Sequence, residues 1–387
     1  MNNINAQNDI KDFFCVDTIL KIDKILLKDI SSREIVFEVK NDVIIFNLSS
    51  ENKNSIPIGI YNKTKKSYSE IDLNVPNNIT ISERSNIINI RVSNKRIIIF
   101  YSRYYLTFNL NIDKLEATYE NITYLDKDYS QYYLIKDSII FCYKVYNSSI
   151  GEKVYISKYN LFENRSIKHI EPKFDCILFS HFSPNHWIDI NENSIVFSQA
   201  CDYSISVLNH DFEVVSNINR KISNWKRLND DTVEIYNNKR PMQILKDLSF
   251  INSHKASKIE GVWFINDTTF VVKYYLSENP DQPLSTRYFD IYILKDNVYK
   301  LDYSNLTDGG VKLNIDEITK KCNSYLLSWT NECLFSNNQF IILKSTVPIE
   351  YFNRKLGEVF NEQSNYMKSK PPYTGVWIYK WNETKNK

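Results

Sequence analysis

The sequence predicts an all-β protein, a single β-propeller of seven four-stranded blades, with six blades as the alternative. Two observations support this fold class. Trp187, Trp225 and Trp263 follow one another at intervals of 38 residues, and each opens a similar phrase. A polar turn, rich in asparagine and acidic residues, recurs along the chain and is followed each time by an apolar strand. A fixed period of this length is typical of stacked supersecondary units.

Seven phrases share the pattern of polar turn and apolar strand, at a mean spacing of about 49 residues. Their turns lie at Asn41, Asn94, Lys136, Asn191, Asn229, Asn266 and Asn337. A strand of alternating polar and apolar residues, a second turn and a further strand follow most of them, most clearly over residues 194–218. Four antiparallel strands per unit are typical of a propeller blade. A β-sandwich pair would not explain the equal tryptophan spacing, and a β-solenoid needs a shorter repeat.

The domain organisation follows from the same repeats. Residues 1–24 form an N-terminal segment that is expected to contribute a closing strand, and residues 25–385 form the propeller. Closure by the two termini removes sheet edges that would otherwise promote aggregation. A helical insert is predicted over about 347–366, where apolar residues recur every three or four positions, and a shorter helix over 314–322. The insert is interpreted as a cap on one face or, alternatively, as a lid or partner-docking element.

Charge and composition exclude several classes of protein. The 387 residues carry 48 Lys and Arg against 46 Asp and Glu, so there is no electrostatic basis for nucleic-acid binding. No apolar run is long enough to span a membrane. No signal peptide is visible, which predicts a cytoplasmic protein, with an exported mature chain as the alternative. The six cysteines form no C-x-x-C pair, and we interpret them as buried thiols.

The phrases NENSIVF, NDDTVEI and NDTTFVV, with the hairpins that follow them, resemble the repeats of TolB-like and NHL-like bacterial β-propellers. The resemblance covers most of residues 25–385. The WD40 signature and the sialidase box are missing, and the low glycine content of 7 residues departs from most propeller families. Asparagine and aspartate take the place of glycine in the turns. The resemblance therefore implies a six- or seven-bladed propeller and no catalytic residue.

The densest cluster of polar and aromatic residues is CILFSHFSPNHWID, at 176–189. The spacing of its histidines and Cys176 does not match usual zinc sites, so no metal is predicted. A Ser-Pro-Asn turn in its middle suggests the alternative that the histidines simply line a loop. The residues predicted to contact a ligand are His181, His186, Trp187, Asp189 and Arg287.

Known catalytic and cofactor motifs, such as a nucleophile elbow or a P-loop, are missing from the sequence, so no catalytic residue and no cofactor is predicted. The leading hypothesis is a non-enzymatic binding or scaffold module that presents loops at one end of the ring to a protein, peptide or glycan. The alternative is a propeller-type carbohydrate-active hydrolase or lyase. Tyrosine clusters at 101–105, 129–133 and 274–275 suit amphipathic interfaces such as binding patches, although the composition alone could also produce them. The repeat tryptophans are predicted to pack between sheets or, alternatively, to stack on a ligand.

Overall fold

The chain consists of β-strands throughout the part that the computed structural model describes. Twenty-four strands form six four-stranded sheets, and no α-helix occurs among the described residues. The two helices predicted over 314–322 and 347–366 lie outside these residues. The described residues are 13–23, 37–40, 42–48, 54–79, 81, 87–93, 95–126, 128–129, 131–135, 139–148, 151–161, 163, 165–171, 188–199, 202–226, 257–276, 287–307, 333–337, 340–345 and 373–381.

Each sheet is antiparallel, and the strands follow the chain order except for the first strand, β1 (Phe14–Asp23), which joins the last sheet. Sheet 1 contains β2 (Phe37–Lys40), β3 (Val43–Asn47), β4 (Ser55–Asn62) and β5 (Ser67–Asn74). Sheet 2 contains β6 (Asn89–Ser93), β7 (Arg96–Phe100), β8 (Tyr104–Asn111) and β9 (Glu116–Tyr124). Sheet 3 contains β10 (Gln131–Ile135), β11 (Ile139–Ser148), β12 (Gly151–Asn160) and β13 (Arg165–Ile170).

The remaining three sheets follow the same plan. Sheet 4 contains β14 (Ile188–Ile190), β15 (Ile195–Gln199), β16 (Ser204–Leu208) and β17 (Val214–Asn219). Sheet 5 contains β18 (Lys258–Asn266), β19 (Thr269–Tyr275), β20 (Arg287–Lys295) and β21 (Val298–Thr307). Sheet 6 contains β22 (Cys333–Asn337), β23 (Phe340–Ser345), β24 (Tyr373–Trp381) and β1.

Sheet 6 is completed by both ends of the chain. Strand β1 pairs antiparallel with β24, from Phe14 opposite Trp381 to Asp23 opposite Tyr373. Just before β1, the buried Phe13 ring packs edge-on against Tyr303 of sheet 5, with 4.6 Å between ring centroids. The N-terminal strand therefore covers an edge of β24 that would otherwise be free, and its beginning is anchored on the neighbouring sheet.

Six of the seven predicted turns lie at the same place in each sheet, between its first and second strands. The paired strand ends are Lys40 with Val43, Ser93 with Arg96, Ile135 with Ile139, Ile190 with Ile195, Asn266 with Thr269, and Asn337 with Phe340. The seventh turn, at Asn229, lies outside the described residues. The polar turn thus marks an equivalent position of the repeat.

Asparagine suits these turns because its side chain accepts hydrogen bonds from the backbone that reverses direction. Asn191 Oδ1 accepts from the N–H groups of Asn193 and Ser194, at 2.9 and 2.8 Å. Asn266 Oδ1 accepts from the N–H of Thr268 at 2.9 Å. These side chains therefore stabilise a tight turn without glycine.

The central strand β7 is apolar on both faces because its sheet is packed between sheets 1 and 3. In β7, Ile97 and Ile99 belong to a buried cluster shared with sheet 1, whereas Ile98 and Phe100 belong to one shared with sheet 3. Side chains alternate between faces along a strand, so a strand covered on both sides shows an unbroken apolar run. By contrast, the outermost strands, such as β13, expose most of their side chains.

Neighbouring sheets contact one another in the order of the chain, and the last also contacts the first. Phe141 of sheet 3 shares a buried cluster with Ile195 of sheet 4, and Ile205 of sheet 4 shares one with Val262 of sheet 5. Strand β22 of sheet 6 contacts both β18 of sheet 5 and β2 of sheet 1. The order of contacts is therefore cyclic.

Sheets 4 and 5 correct the interpretation of the tryptophan period. They pack directly on each other, and the turn residues Asn191 and Asn266 are 75 positions apart. Asn191 Nδ2 donates to the backbone carbonyl of Asp267 at 3.2 Å, so the two turns also touch. Trp263 lies inside β18, whereas Trp225 precedes that strand in the connection from sheet 4. The 38-residue interval therefore does not separate consecutive sheets.

Buried polar groups join the first strands of adjacent sheets. Arg91 of β6 forms an ion pair with Glu38 of β2 at 2.8 Å, and its Nη2 donates to the carbonyl of Tyr132 in β10 at 3.0 Å. Asn89 Nδ2 donates to the same carbonyl at 2.9 Å. These contacts fix the first strands of sheets 1, 2 and 3 beside one another.

Gly59 in β4 allows two aromatic rings to pack over the backbone, and we predict that Gly59→Ala destabilises the protein. A Cβ atom at this position would lie 2.5 Å from the buried Phe46 ring and 3.0 Å from Tyr68. Overpacking of this kind costs about 1–3 kcal/mol. Chemical denaturation measures the loss, and Phe46→Leu in the same chain should recover part of it. An unchanged unfolding free energy for Gly59→Ala would contradict the prediction.

Candidate functional site

The two ends of the sheets differ in the length of their connections. One end of each sheet, here called the turn end, contains the links from the first to the second strand and from the third to the fourth. None of these links exceeds five residues. Links from second to third strand, and from each sheet to the next, leave at the other, the loop end. Between described strands at this end, the longest intervals in sequence are 171–187, 220–257, 276–286, 308–332 and 346–372, and most of their residues lie outside the described part of the chain.

Of the residues predicted to contact a ligand, His181, His186 and Trp187 lie outside the described residues. Arg287 is the first residue of β20, so its backbone is at the loop end of sheet 5, opposite Tyr275. For these four residues, ligand contact stays a prediction.

Asp189, the fifth predicted residue, holds two sheets together. Its buried carboxylate accepts the backbone N–H of Phe264 at 2.7 Å, which links β14 to β18. Phe264 is level with Phe270 and Tyr292 in sheet 5, five residues along β20 from Arg287. That separation corresponds to about 17 Å of strand. The structure therefore does not bring Asp189 and Arg287 together, and ligand contact by Asp189 stays a prediction.

The most extensive polar cluster between described residues lies toward the loop end of the junction between sheets 4 and 5. At its centre, Asp290 of β20 is fully buried. Tyr203 comes from the turn before β16, and Arg220 directly follows β17. Tyr274 lies near the end of β19 and Asn305 near the end of β21. We call these five residues the Asp290 cluster.

The carboxylate of Asp290 is surrounded by donors. Tyr203 Oη and Arg220 Nη1 both donate to Asp290 Oδ2. The backbone N–H of Asn305 donates to Oδ1 at 2.9 Å, and the Tyr274 hydroxyl lies 3.3 Å from the same oxygen. A buried carboxylate is stable only with such compensation. Within the cluster, both oxygens of the buried Asp290 carboxylate therefore accept hydrogen bonds, and its charge is paired with Arg220.

A bulge in sheet 5 places Asn305 over the carboxylate. Phe289 pairs with Leu306 but Ile291 pairs with Tyr303, so two residues of β21 lie opposite Asp290. Asn305 has a φ of 54°, in the left-handed region that asparagine tolerates better than most residues. The bulge turns its N–H toward Asp290, and its exposed side chain accepts from Arg220 Nη2 at 2.9 Å and from Tyr274 at 2.8 Å.

Burial and charge keep the members of the cluster in their hydrogen-bonding forms. Burial, and then the negative charge of Asp290, raise the pKa of Tyr203 well above the ordinary tyrosine value. The same two causes raise the pKa of Tyr274. Burial alone would lower the pKa of Arg220, but the attraction of Asp290 and Tyr274 and the hydrogen bonds to both together outweigh it, and the pKa is raised. At neutral pH the tyrosines therefore stay protonated and the guanidinium stays charged.

One feature of the sequence indicates this cluster. Asp290 interrupts the apolar run Phe289-Asp290-Ile291 inside a predicted hairpin. A charged residue within an otherwise buried strand requires a partner. The sequence does not reveal that partner, because Arg220 lies 70 residues earlier.

The tyrosine clusters proved to be largely core residues, so the expectation that they form a binding surface was wrong. Tyr132 and Tyr274 have no exposed surface, and Tyr101, Tyr105 and Tyr129 are nearly as buried. Their hydroxyls are used internally: Tyr132 donates to the carbonyl of Tyr101 at 2.7 Å, and Tyr129 to Ser157 at 2.9 Å. Tyrosine here fills space between sheets while its polar tip finds a partner.

Two of the repeat tryptophans contact neighbouring aromatic rings. Trp263 is buried and packs edge-on against Phe289 within sheet 5, with centroids 6.5 Å apart. Trp225 is half-buried and lies between the two sheets, 5.8 Å from the Tyr203 ring and 6.2 Å from the Tyr274 ring. Trp225 thus adjoins the Asp290 cluster.

No protein-family model matches the sequence, and no curated protein matches it. Solved structures that resemble the chain include a Bacteroides fragilis protein designated as exported, with a TM-score of 0.54 and 10% identity over 98% of both chains. A member of the duf4221 family from Bacteroides vulgatus has a TM-score of 0.47 and 12% identity over 78% of this chain and 88% of its own. The β-propeller domain of the Trilobed protease from Pyrococcus furiosus has a TM-score of 0.34 and 10% identity over 69% and 70%. Similar structures thus include β-propeller proteins, and at these identities the likeness concerns fold alone.

Neither a membrane-spanning helix nor a cluster of metal-binding side chains occurs among the described residues. No helix there combines the length and hydrophobicity needed to cross a membrane. Within the same residues, no group of three or more histidine, cysteine or acidic side chains is arranged to hold a metal ion.

Proposed function

We propose that the six sheets are the blades of a closed six-bladed propeller. The cyclic order of contacts supports this arrangement, as does the pairing of β1 with β24. Direct packing of sheet 4 on sheet 5 favours six blades over the predicted seven, since it leaves no space for a blade between them. Radial repetition of this kind protects sheet edges from unwanted pairing.

We propose further that the ring is a non-enzymatic binding module whose ligand, a protein, peptide or glycan, contacts the loop end. The observation that carries this proposal is the difference between the two ends. At the turn end, short hairpins satisfy their own backbone groups through asparagine side chains. At the loop end, the intervals in sequence between described strands are longest after sheets 3, 4 and 5. Variable loops on a rigid scaffold are a common arrangement for binding.

The hydrogen bonding of the buried acids favours binding over catalysis. General acid or base catalysis requires a group within reach of a substrate proton. The carboxylates of Asp290 and Asp189 are buried and already accept protein donors. The Asp290 cluster is therefore interpreted as a support for the loop end. The alternative of a carbohydrate-active hydrolase or lyase would require acidic residues or histidines elsewhere at this end.

The predicted cytoplasmic location has no support from the similar structures. The Bacteroides fragilis protein is designated as exported, and this agrees with the alternative prediction that the chain is an exported protein. We propose the exported form. Fractionation of the native host, with detection of the full chain, tests it; recovery only with cytoplasmic marker proteins would contradict it.

A glycan and peptide array probed with the purified full chain tests the binding proposal. The variant named the loop-end variant carries His181→Ala, His186→Ala and Trp187→Ala, three residues that the sequence predicts to contact the ligand. A turn-end control carries Lys65→Ala and Lys114→Ala, both at exposed positions in hairpin turns. We expect the loop-end variant to lose array binding by at least about tenfold while the control retains it.

Two outcomes would overturn the proposal. One is loss of binding in the turn-end control with full binding in the loop-end variant. The other is cleavage of an array glycan by the wild-type chain, detected by chromatography of the soluble products, which would favour the hydrolase or lyase instead.

A further inference from the structure

The Asp290 cluster has more hydrogen-bond donors than acceptors where it meets solvent. Arg220 has five N–H groups. Two on Nη1 point to Asp290 and Tyr274, and one on Nη2 points to Asn305. In the described part of the chain, the Nε–H and the second Nη2–H have no acceptor. The Arg220 side chain is 18% exposed, so these donors lie at the surface of the cluster.

Asn305 adds further donors at the same place. Its Oδ1 accepts from Arg220 and Tyr274, whereas its Nδ2 makes no hydrogen bond to a described residue. The oxygens of Asp290 are directed inward and already paired. The surface therefore offers N–H groups from two side chains and few acceptors, which suits a ligand group that only accepts.

An aromatic residue and two lysines lie within six residues of Arg220 in the chain. The half-buried Trp225 indole packs on the Tyr203 and Tyr274 rings, which fixes its position. Lys221 and Lys226 are exposed on the same short segment. With Arg220 they place three cationic side chains on residues 220–226, which contain no acidic residue, so this segment favours a negative ligand.

We propose that Arg220, Trp225 and Asn305 form a binding site for a saccharide that carries a carboxylate, such as a uronic acid residue. The carboxylate accepts from Arg220 and from Asn305 Nδ2, and the sugar ring packs on the Trp225 indole. Charge-assisted bonds from a guanidinium fit the planar shape of a carboxylate. This inference rests on the proposed function and specifies the ligand class at the loop end.

The donor surplus favours an acidic saccharide over an acidic peptide. A peptide backbone brings its own N–H groups, which need acceptors when they are buried. The cluster uses its acceptor oxygens internally. A carboxylate is an acceptor only, and sugar hydroxyls both donate and accept. An indole also offers a flat apolar surface of the kind on which a sugar ring packs.

The matched variants Asn305→Asp and Asn297→Asp test the site. Both asparagines are exposed, have φ near +60° and belong to β20 and β21 or their turn, but Asn297 is at the turn end. Aspartate at 305 keeps the oxygen that accepts from Arg220 and Tyr274 and replaces the free amide with a second oxygen. Calorimetric titration of the full chain uses three probes: alginate oligosaccharides, their carboxyl-reduced counterparts and poly-glutamate.

We expect alginate oligosaccharides to bind the wild type and Asn297→Asp equally, and Asn305→Asp to bind them roughly 10- to 100-fold more weakly. Trp225→Ala should weaken binding as well. If the carboxyl-reduced sugars bind as tightly as the alginate oligosaccharides, or if poly-glutamate binds and the alginate oligosaccharides do not, the proposed ligand class is overturned. If the loop-end variant loses saccharide binding and Asn305→Asp keeps it, this site is overturned and the proposed function stands. If neither the wild type nor any variant binds any probe or array ligand, both this site and the proposed function are overturned.

Discussion

Replacing Asp290 with alanine is expected to lower the free energy of unfolding by about 3–5 kcal/mol. The substitution leaves the half-buried Arg220 guanidinium without its counter-charge. It also removes the acceptor of the Tyr203 hydroxyl and of the Asn305 N–H. Unsatisfied buried donors keep their full desolvation penalty. Urea denaturation at neutral pH, followed by tyrosine and tryptophan fluorescence, measures the change.

Two further variants separate loss of the ion pair from loss of charge in general. Asp290→Ala combined with Arg220→Met should cost less than Asp290→Ala alone, because no unpaired charge remains. Asp296→Asn breaks an exposed pair with Lys300 in the same sheet and should cost at most about 1 kcal/mol. If Asp290→Ala and Asp296→Asn shift the denaturation midpoint equally, the cluster does not stabilise the junction between the sheets.

Removal of residues 1–23 is expected to abolish the soluble monomer. The deletion removes β1, which pairs with nine residues of β24, and the Phe13 ring that packs on Tyr303. Strand β24 would then present a free edge with the sequence YTGVWIYKW. A long free edge of this kind promotes pairing between chains. Size-exclusion chromatography and urea denaturation should show aggregates and loss of the cooperative transition.

Complementation in trans provides the control for this deletion. A synthetic peptide of residues 12–25, added during refolding, should restore the monomer-sized complex, whereas a scrambled peptide of the same composition should not. A truncated chain that is monomeric on its own, with an unchanged denaturation midpoint, would show that β1 does not close the last sheet.

The turn pattern was the most informative feature of the sequence. Asn41, Asn191 and Asn266 predicted chain reversals from residue type alone, because a short amide side chain satisfies the backbone of the turn locally. The apolar runs after them predicted central strands, and β7 confirms the reason: both of its faces are buried. Local rules of this kind depend on residues a few positions apart.

The sequence does not indicate which aromatic side chains are buried and which are exposed to solvent. Tyr132 and Tyr274 belong to clusters whose composition suits an interface, yet neither has exposed area. Tyrosine is compatible with a core and with an interface, so composition cannot distinguish the two. The equal tryptophan interval does not mark equivalent positions in successive sheets, because Trp225 precedes the first strand of sheet 5 while Trp263 lies within that strand.

By itself, the sequence determined that the protein is all-β, that it is built from repeated hairpins, and where most of those hairpins turn. These properties follow from backbone preferences and from periodicity over short distances. The tertiary structure decided which sheets are neighbours and how the termini meet in sheet 6. It also decided that Tyr203, Arg220, Asp290 and Asn305 form one cluster. The contacts of Asp290 with Arg220 and Tyr203 join residues 70 and 87 positions apart, and their energy is gained only when the sheets pack and exclude water from a shared charge.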